Sequence, residues 1–252
     1  MRVAAALLLV LVFAGSRAGE VAGRVLVFSK TAGFRHDSIP DGIAAIRRIG
    51  SEGGFAVDAT EDASVFDDGR LAPYAAVVFL CTTGDVLDES QQAAFQRYIE
   101  KGRGFVGVHS AADTEHDWLW YGALVGAYFK SHPAIQPATI AVADPVHSST
   151  RSLPPLWSRT DEWYNFQTDP RGRVHVLALL DEQTYSGGEM GSDHPIAWCQ
   201  FFDGGRAWYT ALGHTRESYS EPLFLAHLSG GIRFAAGFPD ACPVVRSVQP
   251  RR

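Results

Sequence analysis

Apolar and polar positions along this chain fall into blocks whose period changes from element to element. Arg24-Val25-Leu26-Val27-Phe28-Ser29 is a short apolar run that predicts a first strand. A polar loop, Lys30 to Asp37, follows. Ile39, Ile43, Ile46 and Ile49 then recur at three and four residues, the spacing of an amphipathic helix, which Gly53-Gly54 ends. Phe55 to Thr60 predicts a second strand. Ala75 to Leu80 is an uninterrupted apolar run, as expected of a strand covered on both faces. Asp88 to Lys101 predicts a helix capped by Asp88, with Phe95 and Ile99 facing inward. The next strand, from Gly104 to Val108, runs straight into the small-residue turn His109-Ser110-Ala111-Ala112-Asp113-Thr114.

This alternation of strands and helices predicts a parallel sheet with helices on both faces. Beyond residue 130 the pattern changes. Ala138 to Val142, Val174 to Leu180, Ile196 to Phe202 and Arg206 to Thr210 read as strands without comparable helices between them, the last two joined as a hairpin by Asp203-Gly204-Gly205. A final helix is expected from Pro222 to Ala236, with Gly237 as its C-cap. The organisation expected is a leader over 1–18, one domain over 19–240 and a loose tail over 241–252.

Composition adds little to the fold but narrows the setting. Arg2 precedes an apolar run ending near Phe13, and Ser16-Arg17-Ala18 offers small residues for cleavage, so a secretory signal peptide cut after Ala18 is expected. That run is shorter than the roughly 20 residues a membrane span needs. Periplasmic or secreted localisation without membrane insertion follows as an expectation. Loss of Arg2 and Arg17 takes the basic count from 22 to 20 against 28 acids, a charge of −8, which argues against nucleic acid as a partner. Among three cysteines, Cys81 and Cys199 sit in apolar strand patterns and read as buried hydrophobes, while Cys242 falls in the tail. Their spacing requires no disulfide.

Chemistry-bearing residues gather in five polar islands. These are Lys30 to His36, with Phe34; His109 to Thr114; Ser131-His132-Pro133; Asp161-Glu162-Trp163-Tyr164; and His194 to Trp198 with Gly213-His214-Thr215. The first two follow parallel strands and must share a rim, where open α/β sheets bind ligands. The second has the small-residue flanks of a nucleophile elbow, Gly107 and Ala111, when centred on His109. No cysteine stands there to serve as a thiolate, and His109 is too close in sequence to Ser110 to act as its base. A phosphate loop and a close-spaced zinc motif are both missing. A divalent metal such as zinc, assembled from distant loops, remains open, with His109, His132 and His214 as candidate ligands beside Glu162 and His194. Lys30 and His36 could instead cap the helix near Ile39, and Trp198 could be core or a stacking platform for a sugar. His116, His147, His175 and His227 read as structural.

Taken together, Lys30, Gly33-Phe34-Arg35-His36, Gly107 to Ala111, Trp118, Trp120-Tyr121, Gly126, Phe129, His132-Pro133, Asp161 to Tyr164, His194 to Trp198 and Leu212 to Thr215 resemble the trehalose-utilisation (ThuA-like) family from about Arg24 to Gly237. The resemblance implies a flavodoxin-like three-layer α/β/α sandwich of the class I glutamine amidotransferase-like type, with antiparallel strands added in the C-terminal half. It implies that His109 takes the elbow position and His214 that of the late histidine. His36, His132, Glu162, Tyr164 and His194 would surround a pocket. It also implies breakdown of disaccharides through 3-keto intermediates made by a sugar oxidoreductase partner.

The expected function is therefore a periplasmic or secreted enzyme processing a disaccharide, a glycoside or its 3-keto derivative, as hydrolase, lyase or isomerase and not as a glutamine amidotransferase. His109, Glu162 and His214 are the expected catalytic residues. Lys30, Phe34, His36, Ser110, Asp113, His132, Tyr164, His194 and Trp198 are the expected substrate contacts. A non-catalytic carbohydrate-binding or accessory protein and a metal-dependent hydrolase of other substrates are the alternatives. Oligomeric state is left open by the sequence.

Overall fold

A computed structural model describes residues 23–243. The expected signal segment and the tail beyond Pro243 lie outside the described residues.

The elements in chain order are β1 (Arg24–Phe28), α1 (Ile39–Gly53), β2 (Ala56–Thr60), α2 (Asp68–Leu71), β3 (Tyr74–Leu80), α3 (Glu89–Glu100), β4 (Gly104–Val108), α4 (Leu119–Val125), β5 (Phe129–Ser131), β6 (Gln136–Val142), β7 (Leu156–Asp161), β8 (Asn165–Phe166), β9 (His175–Asp181), β10 (Pro195–Phe202), β11 (Gly205–Thr210) and α5 (Pro222–Ala235). Nine strands form one sheet in the order β2-β1-β3-β4-β11-β10-β9-β6-β7, and β5 pairs with β8 apart from it. The first five in that order are parallel. From β11 onward each neighbour reverses direction. The chain thus has the flavodoxin-like, amidotransferase-type architecture with an antiparallel extension. Among the described residues no helix is long and apolar enough to cross a membrane.

Local chemistry explains the elements. Buried Ile39, Ile46 and Ile49 line one side of α1, which ends where Gly54 turns left-handed at φ 77° and returns its N–H to Gly50. Asp88 and Gln91 close a reciprocal capping box on α3. Successive residues of β4 face opposite layers. Phe105 joins an aromatic cluster with Phe79, Phe95 of α3 and Tyr121 of α4. Gly104 faces the other way, and a Cβ there would lie 2.1 Å from the carbonyl oxygen of Ala235 in α5. Its lack of a side chain lets α5 lie directly on the sheet.

The structure also corrects the sequence reading. Helix α4 and strands β5, β7 and β8 were not expected. Strand β7 escapes a hydrophobic-pattern search because its alternating inward positions are Trp157, Arg159 and Asp161, two of them charged. The cysteines are corrected as well: Cys199 forms a disulfide with Cys242, which is buried and not loose, leaving Cys81 as the free, buried thiol.

Candidate functional site

Strands β1, β3, β4 and β11 are parallel, so the loops that follow them open on one rim. Four reversals from β11 through β10, β9 and β6 leave β7 pointing the same way as β11. His36 after β1, His109 after β4, His214 after β11 and Glu162 after β7 therefore emerge at the same edge.

The β4 turn is strained in the manner of an elbow. His109 adopts a left-handed φ of 54° and opens a 3-10 turn through Asp113, a conformation costing a non-glycine residue about 1–2 kcal/mol. Tyr209 Oη donates to the His109 carbonyl and Tyr121 Oη to that of Ala111, each at 2.8 Å. Two positions before the apex, Gly107 has no room for a Cβ, which would sit 2.9 Å from the Tyr209 ring.

The turn lays the His109 ring under Tyr164, with centroids 4.3 Å apart. Its Nδ1 donates to the Ala211 carbonyl at 2.7 Å, so the neutral ring carries its lone pair on Nε2. That atom lies 3.2 Å from His214 Nδ1 and 3.4 Å from Glu162 Oε2, and the latter two atoms are 3.2 Å apart. Adding His36, four potential ligand atoms lie within 4.8 Å of one another. Zinc–ligand bonds of about 2.0–2.1 Å in a tetrahedron give ligand-to-ligand edges of roughly 3.3–3.4 Å, close to the 3.2–3.4 Å separations of the His109, His214 and Glu162 atoms.

Electrostatics favour the ligand forms of His36 and Glu162 and oppose that of His214. Burial, with the charges of His109 and His214 beside it, pushes the His36 imidazole down to about 3, keeping it neutral. Burial disfavours the ionised form of Glu162, but the imidazoles of His109 and His214 beside it outweigh that and hold the carboxyl well below the usual range. Burial alone would lower His214, yet the Glu162 hydrogen bond and charge raise it above its ordinary value.

Above this cluster opens a cavity of about 280 Å³. Phe34, Phe129 and Tyr164 supply aromatic walls, Thr83, Asp113 and His132 polar ones, and His36, Glu162 and His214 reach it from the cluster. His132 Nδ1 lies 2.9 Å from the Pro133 carbonyl and 3.1 Å from Glu162 Oε1.

Several expected site residues do not line the cavity. His109 is wholly buried and forms no part of the cavity wall. Ser110 sits behind His36, its hydroxyl 3.4 Å from Nδ1. Lys30 reaches away to the Val86 carbonyl, so it neither caps α1 nor faces the cavity. His194 is buried behind Tyr164, with Nε2 on the Tyr164 carbonyl and Nδ1 on Glu182, both at 2.8 Å. Trp198 is core: its Nε1 donates to the Val125 carbonyl and its ring packs on Tyr209.

Three contributors were not among the expected site residues. Thr83 lines the cavity from beyond β3, where the sequence showed no polar island, and Phe129, named only among the residues of the resemblance, lines it from β5. Asp161, wholly buried, accepts the N–H groups of Glu162 and His214 on Oδ1, and that of Gly213 on Oδ2, while Arg159 pairs with Oδ2 at 2.8 Å. The sequence named it within the Asp161 to Tyr164 island without giving it a role.

Comparison with known proteins agrees with the fold. The profile of the family described as ThuA, trehalose utilisation, matches residues 24–235. A crystal structure of a ThuA-like protein from Bacteroides uniformis superposes with a TM-score of 0.73 at 23% identity, over 85% of this chain and 91% of that one. One from Parabacteroides merdae gives 0.71 at 19% identity, over 88% and 92%. A β-galactosidase from Bacillus circulans shares the fold over 86% of this chain but 31% of its own length, with a TM-score of 0.57 at 12% identity. No curated protein matches the chain.

Proposed function

The chain belongs to the trehalose-utilisation family, which associates it with carbohydrate use, and from that premise we propose that it is a metal-assisted enzyme acting on a disaccharide or glycoside, or on its 3-keto derivative. The observation that carries this reading is the trio His109 Nε2, His214 Nδ1 and Glu162 Oε2, spaced 3.2, 3.2 and 3.4 Å apart beneath an aromatic-walled cavity. These three groups would hold a divalent cation such as zinc, with His36 as the fourth donor within reach. The donor set fits. His109 is fixed in the correct tautomer by a backbone carbonyl, the outer support typical of metal-binding histidines. When bound, such an ion supplies Lewis-acid polarisation of a substrate oxygen.

The remaining chemistry falls to the chain's own side chains. Glu162 stays ionised, which suits a ligand and excludes it as a proton donor. With Nδ1 donating to the Pro133 carbonyl and 3.1 Å from Glu162 Oε1, the neutral His132 ring carries its lone pair on Nε2, which has no hydrogen bond to the described residues. His132 is therefore the group assigned to take up and return a proton at the cavity mouth. His109, buried below the wall, serves as ligand in this reading and not as general acid or base. Phe129 and Tyr164, whose rings lie 4.3 Å apart, present apolar surface to the C–H face of a sugar.

An exported location is part of the same proposal. The apolar N-terminal run of the sequence supports it, as does the Cys199–Cys242 disulfide, a bond that persists in oxidising compartments. A sugar oxidoreductase would then supply the 3-keto substrate.

The test is metal analysis of protein prepared without chelators or an affinity tag, followed by product analysis with disaccharides and their 3-keto derivatives. About one equivalent of divalent metal is expected, with turnover that disappears in His109→Ala and on chelation. Unchanged turnover in that variant would overturn the mechanism, and sugar binding without any turnover would identify an accessory protein instead.

A further inference from the structure

A second hollow of about 240 Å³ adjoins the cavity, sharing Phe34, His36 and His214 with it and continuing past Ile135 and Glu217. We propose that it is an outer subsite that takes the second ring of a two-ring glycoside while the first ring occupies the inner cavity. This rests on the carbohydrate reading above and adds where each half of the substrate lies.

Size and continuity come first. Neither hollow alone reaches the roughly 300–1,000 Å³ typical of small-molecule sites, but the two together do. The residues they share include His36 and His214, both members of the four-donor cluster. A ligand spanning both hollows must therefore carry its inter-ring bond past that cluster. The contiguity puts the junction between rings, and not a remote hydroxyl, next to the chemistry.

Wall chemistry points the same way. Phe34 is 66% exposed and Ile135 47% exposed, and both line the outer hollow. Phe34 is presented by a fixed loop and does not merely protrude. Thr83 Oγ1 donates to the Phe34 carbonyl at 2.9 Å and accepts the Gly33 N–H at 3.2 Å, and His36 meets the Phe34 ring edge-on at 4.9 Å. The carboxylates of Asp37 and Glu217 and the guanidinium of Arg216, itself held by Asp41 at 2.7 Å, complete the lining. Apolar surface for ring C–H groups, facing charged groups that pair with vicinal hydroxyls, is the combination a pyranose ring needs. An apolar acyl chain would leave that polar rim unpaired.

Calorimetry of the metal-loaded protein with methyl glucoside, with α,α-, α-1,4- and β-1,4-linked glucose disaccharides, and with the 3-keto form of each tests the proposal. The best two-ring ligand is expected to bind at least about tenfold tighter than its one-ring counterpart. Phe34→Ala and Ile135→Asp, both at exposed positions, should each cut that preference at least about fivefold. Equal affinity for one-ring and two-ring ligands, or a preference that survives both substitutions, overturns the outer subsite and leaves the function standing. No binding of any of these sugars overturns both.

Discussion

The carboxylate of Asp161 accepts the backbone N–H of His214 at 3.1 Å, so a side chain buried at the end of β7 holds the loop that follows β11. The same oxygen accepts the N–H of Glu162 at 3.0 Å. One carboxylate thus fixes two donor-bearing residues relative to each other, and Arg159, bonded also to Glu221 and Ser218, fixes the carboxylate.

Asp161→Asn should therefore damage both stability and the site. The substitution keeps the volume but removes the charge facing buried Arg159, a class of change that costs about 3–5 kcal/mol. With Glu221 still paired to Arg159, the lower end of that range is expected in urea denaturation. Loss of outer support weakens metal sites about 10–100-fold, which a competitive metal titration reads directly. A fall in stability with unchanged metal affinity would make Asp161 a structural residue only.

Backbone geometry at His109 yields a prediction that inverts the usual order of small residues. Both His109→Ala and His109→Gly remove the imidazole and should abolish metal binding. At a left-handed φ of 54° alanine keeps the strain whereas glycine does not. The glycine variant should thus be the more stable of the two by about 1 kcal/mol, against the ordinary cost of glycine. Paired denaturation curves decide it. Alanine equal to or better than glycine would mean that the turn relaxes without the imidazole.

Most of the parallel half of the fold was legible because its signals are local. Isoleucines at helical spacing, the Asp88 cap and the unbroken apolar run before Cys81 each declare one element. The antiparallel half was less so. Arg159 and Asp161 occupy the inward positions of β7, so the alternation that marks a half-buried strand carries the wrong chemical sign. In the site, polar islands at strand ends pointed to the rim, and the histidines and Glu162 do gather there. Their division of labour was not readable. Whether a histidine lies on the wall, as His132 does, or behind it, as His194 does, depends on contacts with Glu162 and Tyr164 that are distant in sequence.

Stability of the metal-free protein should fall as pH drops from about 6.5 toward 3. Burial pushes His36 and His227 down to about 3, so the native state holds both neutral while the unfolded chain takes up protons near the ordinary histidine value. Their contribution is complete above 6.5 and is lost progressively below it, at about 1.4 kcal/mol per pH unit for each proton. Glu162, depressed in the native state, acts in the same direction below its ordinary value of 4.5. His214 opposes them: raised in the native state, it adds stability at low pH that is lost as pH rises through its folded value. Urea denaturation at pH 4.5, 5.5 and 6.5 should show this slope, and His36→Asn should flatten it by about one proton. An unchanged slope in that variant would mean that His36 is already charged in the native state.

The disulfide should contribute independently of the site, since neither cysteine lines the cavity or the hollow beside it. Cys199 and Cys242 are 43 positions apart. Closing a loop of that length removes about 4 kcal/mol of unfolded-state entropy in the chain model, and measured bridges usually give about 2–4. Reduction should therefore lower the unfolding free energy of the native protein by that amount and leave Cys242→Ser unaffected, with metal content unchanged in both. Because Cys81 is buried and the other two thiols are paired, native protein should show no fast-reacting thiol, and reduced protein two more on unfolding than oxidised protein. Three free thiols on unfolding without reductant would remove the bridge, and with it the support that the disulfide lends to an oxidising compartment.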